Sequence, residues 1–295
     1  MAAGNIEEKL PLIVIVGPTA SGKTSLAVEV ANKYGGEIIC ADSRTIYKGM
    51  DVGTAKPTPE ERSEVPHWGL DLIEPNETFS AADFKRYALK KIDEIRSRGH
   101  MPFLVGGSGL YVDAIVFDFE FTAPVDAERR RALEQMTINE LQEYCIGNNV
   151  TLPENKNNKR YLVRAIERGN APLKRRPDPI RKSIIVGIAT DQEVLRTRIR
   201  NRAEQIFDGD VVNEAIILGK KYGWDSEAMT GNVYPLVRAY LTGQLTQEEM
   251  KMKFVVQDWR LAKRQLTWLK RNPYIEWLDL KEAPLYLEEQ LAKIR

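Results

Sequence analysis

Two cysteines and two histidines in 295 residues argue against a disulfide framework or a metal-ligand cluster. Cys40, Cys145, His67 and His100 lie far apart and show none of the short spacings that such sites need. No apolar run approaches the ~20 residues of a membrane span, and there is no repeat or low-complexity tract. Met1 to Pro11 is short, polar and mixed in charge, unlike a signal or transit peptide. The expectation is a soluble cytoplasmic protein from a reducing compartment, without a membrane and monomeric. An excess of one charge is also missing: 43 Lys/Arg stand against 42 Asp/Glu, a net charge of +1. Spread evenly, that balance would argue against a polyanionic partner.

It is not spread evenly. Between Lys156 and Arg202 there are fourteen Lys/Arg and four Asp/Glu. A second tract, Trp259 to Arg271, holds five basic residues, no acidic one and two tryptophans. Either tract alone reads most simply as a solvated helix face. Together, with aromatics interleaved, they point to a nucleic-acid partner.

The most informative segment present is Gly17-Pro18-Thr19-Ala20-Ser21-Gly22-Lys23-Thr24, a complete phosphate-binding loop. Leu12 to Val16 leads in as a buried strand. A helical stretch follows with Leu26, Ala27, Val30, Ala31 and Tyr34 on one face and Gly35-Gly36 as its stop. The glycines let backbone N–H groups converge on phosphate oxygens, so Gly17, Thr19, Ala20, Ser21, Gly22, Lys23 and Thr24 are the expected binding set. Lys23 supplies a point charge, and the Thr24 hydroxyl can hold Mg²⁺.

Around this loop the pattern alternates: strand Ile38 to Ala41, helix Ala81 to Arg98, strand Met101 to Val105. That rhythm implies a P-loop NTPase-like α/β fold, a parallel sheet with helices on both faces. From about Asp118 the pattern changes to polar helices, Glu128 to Tyr144 and Asn158 to Arg168, closed by Pro172, Pro177 and Pro179; Ser183 to Ile188 then returns as a buried strand. The organisation expected is a core from 1–118 and 183–295 interrupted by a helical insertion, 119–182, that binds the nucleic acid. A capping box, Thr246 to Glu249, opens a long helix ending near Asn272-Pro273, with a short strand, Tyr274 to Leu278, after it.

Asp42 ends a strand at the edge where parallel sheets open their ligand crevice. It can hold Mg²⁺, accept a proton from a nucleophile, or cap a following helix through Ser43. Gly106-Gly107-Ser108-Gly109 permits close backbone approach, and the Ser108 hydroxyl can donate to a leaving-group oxygen. A downstream strand ending in a Mg²⁺-coupling Asp, as a working ATPase or GTPase shows, is not evident. The loop is therefore expected to bind a diphosphate without hydrolysing a nucleotide.

These residues, taken with Tyr47 to Asp51, Gly53 to Pro57, Pro66-His67, Asp71, Thr78 to Phe84, Gly106 to Tyr111, Arg164-Ala165, Glu167, Ala262 to Gln265 and Thr267-Trp268, resemble the tRNA dimethylallyltransferase (tRNA isopentenyl transferase) family in order and spacing over most of the chain. The resemblance implies transfer of a five-carbon allyl group from dimethylallyl diphosphate to N6 of adenosine 37, beside the anticodon of tRNA. It implies a base at Asp42, leaving-group stabilisation by Ser108 and Lys23, and a diphosphate contact from Arg202. The tRNA contacts it implies are Asp42, Ser43, Arg44, Thr45, Ser108, Arg130, Arg164, Lys263, Arg264 and Gln265. Thr45 stands where the family often has Gln, Ser108 where it has Thr, and Val233-Tyr234-Pro235-Leu236 where it has Gly-Tyr-Lys-Glu. A small-metabolite kinase, or an enzyme adding the allyl group to free adenine nucleotides, would use the same loop.

Overall fold

The structure, a computed structural model, describes residues 10–121, 126–171, 174–180 and 182–293. Residues 1–9, Pro172 and Arg181 of the basic tract lie outside these. By internal contacts the chain divides into two units: 1–117 with 178–295, and 118–177.

The first unit is built on six parallel strands. They are β1 (Leu12–Val16), β2 (Gly36–Cys40), β3 (His67–Trp68), β4 (Met101–Gly106), β5 (Ser183–Ile188) and β6 (Glu276–Leu278), in the order β3-β2-β4-β1-β5-β6. The apolar run of β1 is fully buried because it pairs on both sides, Ile13 with Phe103 and Ile184, Ile15 with Val105 and Val186. Helices α1 (Lys23–Tyr34) and α12 (Glu282–Ala292) cover the face of Ile13, Ile15, Ile38, Phe103 and Val186 with Leu26, Ala27, Val30, Leu287 and Leu291. Two more helices, α3 (Ala81–Ser97) and α4 (Gly109–Val116), pack on each other and on β4. The short α2 (Pro59–Glu64) precedes β3.

Gly35 ends α1 in a left-handed conformation (φ 62°), its N–H on the Ala31 and Asn32 carbonyls. Gly36 is not part of that stop; it opens β2. Most of the structure after β5 escapes the sequence pattern. Helices α8 (Gln192–Asp208), α9 (Val211–Tyr222) and α10 (Tyr234–Leu241) and the start of α11 (Gln247–Leu269) close a second apolar core around Phe207, Val211, Leu218, Tyr234, Val237 and Phe254. Ile46, Tyr47 and Met50, from the loop after β2, are buried in it. The Thr246 hydroxyl accepts from Glu249 N–H and the Glu249 carboxylate accepts from Thr246 N–H, the reciprocal cap that starts α11. Helix α11 stops at Leu269, three residues before Asn272.

The second unit holds α5 (Ala127–Gln135), α6 (Ile138–Gly147) and α7 (Lys159–Arg168) around Leu133, Leu141, Cys145, Leu162, Val163 and Ile166. The single helix expected over Glu128 to Tyr144 is two. Thr137 forms its own capping box with Glu140 and restarts the chain as α6. Asn158 caps α7 by accepting from Arg160 N–H.

Candidate active site

The phosphate loop runs from the end of β1 into α1. Ala20 (φ 61°) and Gly22 (φ 90°) both take left-handed backbone. An added Cβ at Gly22 would lie 2.8 Å from Leu280 Cδ1, the end of a side chain that can move aside, so it is the left-handed backbone that favours glycine there. Ser21 is fully buried and its Oγ has no hydrogen-bond partner, a polar atom left for a ligand or water. Lys23 Nζ donates to the Pro18 carbonyl at 3.1 Å, folding back over the loop. Burial pushes its pKa down to about 8; Asp42 is the largest influence the other way, and Arg202 adds to the lowering. Thr24 follows as the second residue of α1.

Asp42 stands just beyond β2, at the same end of the sheet. No helix follows it: its Oδ1 accepts from Arg44 N–H at 2.8 Å, so the carboxylate closes a turn. Ser43 N–H donates to Ser108 Oγ at 3.0 Å, and Ser108 N–H donates to the Ala41 carbonyl at 3.2 Å. The loop after β2 and the glycine turn after β4 are thereby tied side by side. Arg44 reaches Glu227 O at 3.2 Å. Thr45 is buried, its hydroxyl 3.5 Å from the Asp42 carbonyl, and so is turned into the protein.

Helices α8 and α11 complete the site. Arg198 and Arg202, one turn apart on α8, face the loops: Arg198 Nη1 donates to Ser21 O at 2.8 Å and Arg202 Nη2 to Thr54 O at 3.3 Å. On α11, Gln265 Oε1 accepts from Thr19 N–H at 2.8 Å. Gln265 also fills the space over Gly107, where a Cβ would lie 2.5 Å from Nε2. Gln265 therefore braces the phosphate loop and the glycine turn together. Trp268 Nε1 donates to Asp113 Oδ2 at 2.7 Å, fixing α11 to α4. Asp258 Oδ2 accepts from the Thr19 hydroxyl at 3.4 Å, and Oδ1 from Asn232 Nδ2 at 3.3 Å. Lys263 and Arg264 of the same helix are exposed; Lys263 Nζ lies 5.2 Å from the Trp259 ring centroid.

The remaining two expected residues belong to the second unit. Arg130 Nε lies 3.2 Å from Glu167 Oε1. Burial, then the neighbouring cations Arg160 and Arg130, push the pKa of Arg164 down. Arg130 also lies 3.5 Å from Glu134 Oε1, and Arg164 feels the charges of Arg160, Arg130 and Glu167, so this part of the second unit is rich in guanidiniums.

Arg198, Asn232 and Asp258 were not singled out from sequence. Arg198 was legible, since it lies four residues before Arg202 and thus on the same helix face. Asp258 was legible too, as a carboxylate within the buried positions Met250, Phe254, Ala262 and Leu269 of α11. Neither cysteine belongs to the site's chemistry; burial pushes the Cys40 thiol up to about 12. Among the described residues no group of three or more His, Cys, Asp or Glu could hold a metal, and no helix is long and apolar enough to cross a membrane.

The model of the IPP transferase family matches residues 45–272. The tRNA dimethylallyltransferase of Acetivibrio thermocellus is 37% identical over 289 residues, 92% of either chain. That of Limosilactobacillus fermentum is 37% identical over 300 residues, covering 96% of this chain and 97% of its own. The crystal structure of the full-length tRNA isopentenylpyrophosphate transferase from Bacillus halodurans superposes with a TM-score of 0.74 at 33% identity over 97% of both chains. The Limosilactobacillus fermentum relative and the Bacillus halodurans structure span the phosphate loop that the family model leaves out, and that loop follows β1, an inner strand of the sheet. By sequence and by structure, the chain belongs to the IPP transferase family.

Proposed function

We propose that the protein transfers the dimethylallyl group of dimethylallyl diphosphate to N6 of adenosine 37 in tRNA, releasing diphosphate. One observation carries this reading beyond the names of its relatives. The helix that braces the phosphate loop through Gln265 and Thr19 exposes Lys263 and Arg264 on its neighbouring face. Diphosphate cradle and basic RNA surface are thus parts of one element, which a small-metabolite kinase would not need.

The chemistry is governed by charge. The allylic C–O bond breaks and negative charge develops on the bridging oxygen. Loop N–H groups, Lys23, Arg202 and the Ser108 hydroxyl stabilise it, and Gly17, Thr19, Ala20, Ser21, Gly22 and Thr24 line the cradle. A new bond forms from N6 to the allylic carbon, and the amine proton passes to Asp42, whose Oδ1 is held by Arg44 N–H. The adenine base leaves its stack to enter the site, which costs less from a loop than from a duplex. Ser43, Arg44, Lys263 and Arg264, with Arg130 and Arg164 of the second unit, are the proposed tRNA contacts. Mg²⁺ would be held by the Thr24 hydroxyl and the diphosphate itself, a fit for a hard cation that takes few protein ligands when phosphates supply the rest; bound there, it would neutralise charge on the leaving group.

Lys23 gives the reading a pH signature. Its ammonium is charged below about pH 8 and loses its charge above, so affinity for inorganic diphosphate should fall as pH rises from ~7.5 to ~9.5. The decline steepens toward about tenfold per unit once Lys23 is mostly neutral. Calorimetric titration at several pH values, with Lys23→Arg as a reference whose charge does not titrate, would show it; parallel profiles would remove Lys23 from the anion site. The activity itself is tested by diphosphate release from dimethylallyl diphosphate, expected only when tRNA is added.

A further inference from the structure

An anion site is an unfavourable place for a carboxylate, yet α11 puts one there. Asp258 is 3% exposed and touches the phosphate loop through the Thr19 hydroxyl. Its Oδ2 lies 3.8 Å from Arg202 Nε, and that nitrogen is buried without a hydrogen-bond partner. A guanidinium–carboxylate pair built for structure is short and often bidentate, at about 2.7–2.9 Å. This pair is longer than any hydrogen bond. The Arg202 guanidinium is otherwise tied by Nη2 to one carbonyl, Thr54 O, at 3.3 Å. It is held in place by charge, with donor capacity unspent. Asp258, by contrast, is fixed by two partners that owe nothing to Arg202: Thr19 on Oδ2 and Asn232 on Oδ1. Its burial raises its pKa, and Arg202 is the largest influence keeping it ionised.

We propose that Asp258 is a positioning residue that serves as the resident counter-ion of Arg202, which exchanges it for the diphosphate. This rests on the diphosphate reading above. In the empty site the carboxylate holds the guanidinium beside the loop. When diphosphate arrives, Arg202 turns its unspent donors to the phosphate oxygens, while Asp258 stays on Thr19 and Asn232. The ligand then shares the site with a like charge in a partly water-excluded setting, which lowers affinity. A cradle that combines loop amides, Lys23 and Arg202 risks holding its product too well, and release is often what limits turnover. Asp258 offsets that grip.

The test is Asp258→Asn, which removes the charge and keeps the shape: its amide oxygen can still accept from Asn232 Nδ2, and the Thr19 hydroxyl can accept from its amide nitrogen; inorganic diphosphate is the probe. Calorimetry should show binding about tenfold tighter than wild type, and the ratio of single-turnover to steady-state rate should rise. The gain should shrink when Arg202 is also Gln, because the competition for that guanidinium is gone. Asp258→Thr, neutral and smaller, serves the same comparison should the Asn variant not fold. If wild type binds diphosphate and the neutral variants bind it no more tightly, Asp258 is a structural residue and the exchange is wrong. Failure of the wild type to bind diphosphate would overturn the underlying reading, and this inference with it.

Discussion

Asp42→Ala should lower the single-turnover rate of transfer by about 10²–10⁴-fold, the range for a lost general base, while diphosphate still binds. An exocyclic adenine amine is a weak nucleophile and gains positive charge as it attacks, so its proton must leave in or just after the bond-forming step. Asp42 is placed for this at the carboxyl end of β2, beside Lys23, which feels its charge, and next to Ser43, which is tied to Ser108. Asp42→Asn is the sharper variant. Its amide oxygen can still accept from Arg44 N–H as Oδ1 does, so the turn survives and only basicity is lost. Equal losses in the two variants identify the proton acceptor. A large loss in Ala with near-normal turnover in Asn would reduce Asp42 to a turn former.

Neutralising Lys263 and Arg264 together should weaken tRNA binding by roughly ten- to a hundredfold at low salt and flatten its salt dependence, by about 0.7–0.9 in log–log slope for each phosphate contact removed. Diphosphate binding should not change. Both side chains are exposed on α11, whereas Gln265, the next residue, turns onto Thr19 and the glycine turn. On the proposed reading, the same helix serves two separable functions one residue apart. Titrations of fluorescent tRNA at several salt concentrations, with calorimetry for diphosphate, would separate them. Loss of both affinities in parallel would mean that the double change disturbs the helix rather than the RNA surface.

That one-residue boundary shows where the sequence was readable and where it was not. The phosphate loop, β1, β4 and β5 follow from runs buried on both sides and from a motif whose chemistry fixes its neighbours. Lys263-Arg264-Gln265 reads as one polar tract, yet helical phase separates its members: Gln265 lies seven residues after Asp258 and three after Ala262, on the buried side. Glu128 to Tyr144 reads as one polar helix, although Thr137 and Glu140 carry the same box as Thr246 and Glu249; the polar pattern continues across the break and hides it. The second core of the first unit left a fainter trace. Phe207, Leu218, Tyr234 and Phe254 come from four helices, and nothing in local periodicity says that they meet. Arg202 was approached through family likeness. Its partner Asp258 was not: its place among the buried positions of α11 marks it as an unusual carboxylate, but what it pairs with depends on the loop it faces.

The destination of the allyl group is the decisive question. Wild-type protein incubated with Mg²⁺, isotope-labelled dimethylallyl diphosphate and unmodified tRNA, with AMP supplied in a parallel reaction, is analysed by mass spectrometry of the digested nucleosides. The prediction is labelled N6-dimethylallyladenosine from tRNA at one position beside the anticodon, with negligible label in AMP. Efficient labelling of AMP, or no label in tRNA while the diphosphate binds, would contradict it.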